Sequence, residues 1–195
     1  MDLFLAISQG IGTSLATGLR SFLPPLLVCV LARGDIAVDF DGTDYEFLES
    51  VPFLVGLLAV NVAAVLSDRT GVRRNLEWPF FAVSLALGGL MFAGSLAEED
   101  YTAAPGLVAG AVCATLAYVA AQTFLVRART RLDARGQEES AGFLDFYVAV
   151  AALCLAALAV LIPPVSLIAL AFLIWVLAVS RRRGSRKFEG LRVLR

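Results

Sequence analysis

The sequence predicts an all-α, polytopic membrane protein with six transmembrane helices. Of its 195 residues 59% are hydrophobic and only 17% are charged, and the mean hydropathy is +0.80. Soluble chains are about 45–50% apolar and about 25% charged, and a small soluble domain could not bury so much apolar side chain. The composition therefore excludes a soluble enzyme, a nucleic-acid-binding domain and a disordered chain.

Six apolar stretches are candidates for membrane helices, because a helix needs about 20 apolar residues to cross a core of about 30 Å. The first lacks a basic start and a cleavage site, which favours a retained helix over a signal peptide. The sequence predicts one six-helix domain over 1–180, with halves 1–97 and 105–180, and a basic cytoplasmic tail over 181–195. The stretches are 3–32, 51–67, 79–97, 105–126, 143–162 and 164–180, and Pro52, Pro79, Pro105 and Pro164 lie at or near helix starts.

The charges of the connecting segments alternate in sign. Segments 34–50 and 98–104 contain acidic residues without Lys or Arg, whereas 68–77, 127–140 and the tail are basic. With both termini inside, 14 of the 16 basic residues fall on the cytoplasmic side, and only Arg20 and Arg33 do not. The positive-inside rule then predicts a multi-pass protein of the cell membrane with both termini cytoplasmic.

The two halves of the sequence resemble each other weakly. Residues 13–23 align with 115–125, and Phe47-Leu48-Glu49 aligns with Phe143-Leu144-Asp145. Such a pattern predicts a 3+3 inverted repeat, which is typical of transporters and channels. Helices rich in the same few apolar residues also align by chance, so the alternative is no repeat.

The first apolar stretch is unusually long and contains Pro24-Pro25. Thirty helical residues would span about 45 Å, more than the hydrocarbon core. The proline pair removes backbone donors and disfavours helical geometry before it, so we expect the helix to break near Pro24. Counting along a straight helix from Arg33 places Arg20 well inside the bilayer, where a charge costs at least about 2.5 kcal/mol. Arg20 then either serves a function or has a structural role, in which its side chain snorkels to an interface or pairs with an acid.

A substrate-binding site is predicted around this break. A guanidinium presents a fixed fork of donors, so an anion suits it better than a cation. Polar residues on one face of the fourth apolar stretch, 105–126, would face Arg20. An acid near the start of the fifth stretch, 143–162, would either pair with Arg20 or only interact favourably with the dipole of its own helix. The predicted site residues are Arg20, Thr17, Ser21, Gln122, Tyr118, Thr115 and Asp145.

Two further patterns indicate contacts. Gly106, Gly110 and Ala114 form a small-residue stripe, which predicts close helix packing within the bundle or between protomers of a homo-oligomer. The basic run 181–187 can bind anionic lipid headgroups at about 1 kcal/mol per residue, although it also serves as an ordinary stop-transfer signal. A short basic run beside a membrane helix does not indicate nucleic-acid binding.

Catalytic and metal-binding patterns are not found. The chain contains no histidine, and Cys29, Cys113 and Cys154 are far apart in apolar runs. The usual metal ligand and commonest general base are therefore missing, and no zinc or disulfide pattern is present. We expect no enzyme activity, no cofactor and no metal.

Several motifs are similar to a membrane family known as domain of unknown function 4126. The string Gly18-Leu19-Arg20-Ser21-Phe22-Leu23-Pro24 carries the resemblance, followed by Phe47-Leu48-Glu49-Ser50, Asp68-Arg69, Asp145 and the closing residues 190–195. The sequence departs at Leu144, where the family often has Glu before the Asp, and at Ala63-Ala64, where it often has an acid. The resemblance implies the helical membrane architecture and no activity.

The sequence favours a small transporter or channel with a polar, anion-favouring cavity around Arg20, acting on an unknown small solute or anion. The alternative is a non-transporting membrane scaffold or accessory subunit, which needs only packing seams and a basic tail.

Overall fold

A computed structural model describes residues 3–34, 36–70, 73–99, 101–133 and 139–189. Over these residues the protein is all-α, with no strand. A short 3-10 helix covers Glu46–Glu49, and the α-helices are α1 Leu3–Leu19, α2 Leu23–Arg33, α3 Val51–Thr70, α4 Arg73–Ala97, α5 Ala104–Asp133, α6 Glu139–Leu161 and α7 Val165–Glu189.

The centre of the bundle is α1, which packs against α4, α5, α6 and α7. Small residues on several of its faces allow this. A Cβ at Gly10 would lie 2.8 Å from the Phe92 ring, and one at Gly12 would overlap Ser166 of α7. Because close backbone approach drives helix association in an apolar solvent, the small residues of α1 indicate packing rather than a site.

The first predicted span is a helical hairpin rather than one crossing. Along α1, Ser14 donates to the Gly88 carbonyl at 2.7 Å and the Thr17 carbonyl accepts from Ser84 at 3.2 Å, so α1 runs antiparallel to α4. The chain then reverses over residues 20–22, and α2 returns beside α1. After α2, the Asp39 N–H reaches Glu98, just past the end of α4, at 3.2 Å.

The two ends of the bundle therefore differ from the predicted arrangement. The side chain of Gln9, near the start of α1, also reaches Glu98, at 3.4 Å. The start of α1 and the acidic segment 36–50 thus share one end, which we call the acidic end. Ser166 of α7 lies beside Gly12, and Leu170 and Leu173 pack in one cluster with Leu15 and Leu19 further along, so α7 runs parallel to α1. Its last residues, which carry the basic run 181–187, therefore lie at the opposite end, which we call the basic end. The start of α1 and the end of α7 are on opposite faces, in disagreement with six crossings and two cytoplasmic termini.

The prolines break the first span as predicted, but by starting a new helix. Pro24 and Pro25 lie in the first turn of α2, where the missing N–H groups would have no intrahelical partner. Pro79, by contrast, lies inside α4, which begins at Arg73 and not at the proline. The helix α7 continues through Glu189, into the predicted tail.

The small-residue stripe of α5 lies in a contact within the bundle, against α4. A Cβ at Gly106 would lie 3.0 Å from the Ala93 Cα, and one at Gly110 would overlap the Gly88 carbonyl. In turn, a Cβ at Gly88 would meet the Ala114 methyl group at 2.6 Å. The stripe therefore works as a packing seam.

Two helical segments of the described chain are long and apolar enough to cross a membrane, Trp78–Ala97 and Ala104–Val126. The composition is compatible with a membrane protein. Shorter apolar helical segments are Leu3–Leu19, Leu23–Arg33, Val51–Leu66, Phe146–Leu161 and Val165–Val179.

Candidate functional site

A small cavity of about 60 Å³ lies at the tip of the α1–α2 hairpin. It has room for several water molecules. The hairpin tip, α3 and α4 build it together: its lining residues are Arg20, Ser21, Phe22, Asn61, Ala64, Val65 and Phe80.

Each of the three polar side chains of this cavity can donate hydrogen bonds. Arg20, Ser21 and Asn61 contribute a guanidinium, a hydroxyl and an amide, and all three side chains are half-buried. Among the described residues none forms a hydrogen bond or ion pair with the Arg20 guanidinium. Phe22 and Phe80 close one side with an edge-to-face contact, their ring centroids 5.7 Å apart. The arrangement can hold a small oxyanion between a charged fork and two neutral donors.

The hairpin places Arg20 nearer the basic end than a straight helix would. Its cavity neighbour Phe80 precedes the end of α4 at Ala97 by about 25 Å of helix. Trp78 lies two residues before Phe80 and is exposed, and tryptophan is enriched at membrane interfaces. In a bilayer crossed by α4, the guanidinium would therefore lie close to an interface, where a charge costs less than at the bilayer centre.

Of the predicted site residues, Arg20 and Ser21 line the cavity. Thr17 is fully buried one turn away and donates to the Thr13 carbonyl at 2.8 Å. Its own carbonyl, one of the last of α1, accepts from Ser84, which satisfies a group that the helix end would leave unpaired.

The predicted face of α5 is not among the lining residues of this cavity in the described chain. Thr115 donates to the Ala111 carbonyl at 2.8 Å and lines an apolar groove on the surface of α4 and α5 instead. Tyr118 packs against Phe81 with tilted rings whose centroids are 4.8 Å apart, and Gln122 is half-buried on α5. Asp145 lies inside α6 rather than at its start, and its side chain is outside the described part of the structure.

A second polar constellation lies at the acidic end, around Glu98. One carboxylate oxygen accepts the Asp39 N–H at 3.2 Å, and the other accepts the Gln9 side-chain amide at 3.4 Å. Burial raises the pKa of Glu98 from its ordinary 4.5 to about 7. The Glu99 and Asp39 carboxylates raise this pKa further, whereas the hydrogen bond from the Asp39 N–H lowers it.

The family model for the domain of unknown function DUF4126 matches residues 7–183. The chain belongs to this family. No curated protein and no solved structure matches the chain. Both constellations of this DUF4126 protein, the hairpin-tip cavity and the Glu98 cluster, lie inside the matched residues.

Three further carboxylates of the DUF4126 chain cluster beside Glu98. Oxygens of Asp39, Asp41 and Glu49 lie within 4.8 Å of one another. Backbone N–H groups account for much of this arrangement, since Asp39 accepts the Asp41 N–H at 2.8 Å and Glu49 accepts the Phe40 N–H at 2.6 Å. Two of the three side chains are exposed, so the cluster organises a surface loop, and we assign no metal to it.

Reasoning from the sequence missed the pairing of Gln9 with Glu98. Gln9 is a single amide in an apolar helix and is 3% exposed, a burial that polar side chains tolerate only with a hydrogen-bond partner. Glu98 and Glu99 stand out in sequence only as acids after an apolar stretch. Only the hairpin direction of α1 brings Gln9 to them.

Proposed function

We propose that this protein is an integral membrane protein in which α3 to α7 cross the bilayer and the α1–α2 hairpin enters from the acidic end. The apolar parts of α4 and α5 are long enough for the hydrocarbon core, and those of α3, α6 and α7 are shorter but lie within helices of at least 20 residues, about 30 Å. Large apolar side chains are exposed along α3, α6 and α7, and a soluble protein rarely exposes such extended patches. They include Val55, Leu58, Val62, Leu66, Phe146, Leu158, Ile168, Phe172 and Trp175.

We propose that the basic end faces the cytoplasm of the cell. The connecting segments 68–77 and 127–140 and the run 181–187 carry most of the positive charge, which the positive-inside rule assigns to that side. The hairpin then leaves the start of the chain outside and the end of α7 inside. We also propose that the basic run 181–187, in the last turns of α7, binds anionic headgroups of the inner leaflet.

We propose that the hairpin-tip cavity binds a small anion, and that the protein transports or conducts it. The observation that carries this proposal is the half-buried Arg20 guanidinium, which lines a cavity with Ser21 and Asn61 and has no described ionic partner. A fork of donors without an acceptor suits an anion with several oxygens. The proposal assigns no catalytic residue and no cofactor.

The test is flux of radiolabelled phosphate, sulfate and chloride into proteoliposomes. Flux of at least one of them should exceed that of empty liposomes, and Arg20→Ala should lower it at least tenfold. Arg20→Lys should also lower it, because an ammonium supplies a point charge without the fork. Arg33→Ala is the control, since it removes a positive charge at the other end of α2, about 15 Å of helix from the cavity. Equal flux in wild type and Arg20→Ala would contradict the proposal.

The second candidate function is a non-transporting scaffold, as a homo-oligomer or an accessory subunit. Arg20 lies one residue beyond the end of α1, where a positive charge is stabilised by the helix dipole without any ligand. The exposed apolar face of α3 would then bind protein rather than lipid. Liposomes with no flux of any probe, together with a defined oligomer in detergent, would favour this function.

The directions of α1 and α5 argue against the predicted 3+3 inverted repeat. Ser14 of α1 contacts Gly88 and Gly106 of α5 approaches Ala93, and both helices run antiparallel to α4. Residues 13–19 and the aligned residues of α5 therefore run in the same direction, whereas an inverted repeat would reverse one of them.

A further inference from the structure

Glu98 joins three segments of the chain at the acidic end. It follows α4 directly, and its N–H still donates to the Gly94 carbonyl at 2.9 Å, so its backbone is fixed by the last turn. Its two carboxylate oxygens accept from Gln9 of α1 and from the N–H of Asp39 in the loop after α2. One carboxyl group therefore connects both arms of the hairpin to α4.

The surroundings of Glu98 disfavour a negative charge. The carboxyl is half-buried and follows the C-terminal end of α4, where the helix dipole is negative. The described residues of α1 contain no titratable group. The other charged groups of the described residues at this end are Glu99 beside it, Arg33, which donates to the Glu49 carbonyl at 3.0 Å, and the acids of the loop, which are Asp39, Asp41, Asp44, Glu46 and Glu49.

We propose that the Glu98 carboxyl is a reversible proton-binding site whose charge state sets how tightly the loop after α2 is held to α4. In the neutral form, the carboxyl's carbonyl oxygen accepts the Asp39 N–H and its hydroxyl donates to the Gln9 side chain once that amide presents its oxygen, so neither bond adds charge to the acidic neighbours. Loss of the proton to solvent leaves a half-buried negative charge beside Asp39 and Glu99, and their repulsion loosens the loop. Burial places the pKa of this group at about 7, so the change falls within the physiological range.

The test measures the proton and the loop separately in full-length protein in nanodiscs. Infrared titration should show a protonated carboxyl band that disappears with a midpoint near neutral pH and that is missing in Glu98→Gln. Hydrogen exchange of the peptide containing Asp39 and Phe40, corrected for the intrinsic exchange rate, should quicken roughly tenfold from about pH 5.5 to about pH 8.5. In Glu98→Gln the peptide should stay protected at both pH values, because the amide keeps an acceptor for the Asp39 N–H and never ionises.

Matched variants make each outcome decisive. Glu46→Gln removes an exposed acid of the same segment and should behave as wild type. Asp39→Asn keeps the N–H but removes a repelling carboxylate, so the infrared midpoint should fall, and this can be measured even if Glu98→Gln does not fold. A loop that exchanges equally at both pH values in wild type would overturn the proposal, as would a midpoint unchanged in Asp39→Asn. None of these readouts depends on transport at Arg20.

Discussion

Gln9 and Asp39 meet at the two oxygens of one carboxylate, that of Glu98, although α1 and α2 separate them in sequence. A continuous helix would hold them apart, since α2 alone is about 16 Å long. The shared carboxylate therefore requires the chain to reverse between α1 and α2. The reversal decides which residues can share a membrane face, and it brings Arg20 to the hairpin tip.

The first prediction concerns topology. Single cysteines replacing Leu3, Asp41 and Arg186, in a background lacking the three native cysteines, should differ in their reaction with an impermeant thiol reagent applied from outside. Leu3→Cys and Asp41→Cys should be labelled because both lie at the acidic end, whereas Arg186→Cys should be labelled only after permeabilisation. Labelling of Asp41→Cys without Leu3→Cys would restore six crossings.

The second prediction concerns the α4–α5 seam. Gly110→Leu should lower the free energy of unfolding by at least about 1–3 kcal/mol. The new side chain would overlap the Gly88 carbonyl, and its Cβ would lie 2.7 Å from the Phe92 Cβ. Val108→Leu is the matched control, since Val108 is 68% exposed on the same helix. Thermal unfolding in detergent should show a loss for Gly110→Leu and little change for the control. Equal melting temperatures would mean that the seam opens freely.

The sequence predicted the helices and the seam better than the path of the chain. The contact made by the stripe at Gly106 and Gly110 could be predicted from the sequence, because small residues at this spacing indicate close packing against any partner helix. Pro24 and Pro25 indicated a break, but proline limits the backbone locally and says nothing about the direction in which the next helix leaves. That direction depends on contacts between distant residues, such as Thr17 with Ser84.

The same limit explains the terminal orientation and the candidate site. The positive-inside rule counts charges on connecting segments and cannot distinguish a crossing from a hairpin. Arg20 was recognisable as an unusual charge in an apolar stretch. Its neighbours Asn61 and Phe80 come from α3 and α4. The predicted α5 residues lie elsewhere, because they were inferred from the alignment of the two halves of the sequence and not from any contact with Arg20.

The third prediction concerns the end of α1. Ser84→Ala should lower the free energy of unfolding by about 1–3 kcal/mol, because it leaves the buried Thr17 carbonyl without the Ser84 hydroxyl. Ser95→Ala is the control, since the Ser95 hydroxyl donates to the Met91 carbonyl of its own helix, at 3.0 Å, and not to another helix of the described chain. The two variants should differ in melting temperature, with Ser84→Ala the lower. A larger loss for Ser95→Ala would contradict this role of Ser84.

The last prediction concerns stability against pH. Because burial raises the pKa of Glu98 from 4.5 to about 7, the folded protein keeps a proton that the unfolded chain has released between these values. The free energy of unfolding contributed by Glu98 is therefore complete below about pH 4.5, declines as the pH rises towards about 7, and is level above it. Glu98→Gln should remove this decline, so that the melting temperatures of variant and wild type diverge with rising pH, the variant being the more stable at high pH. Glu46→Gln should follow wild type throughout. Parallel curves for Glu98→Gln and wild type would show that the Glu98 carboxyl does not carry the proton.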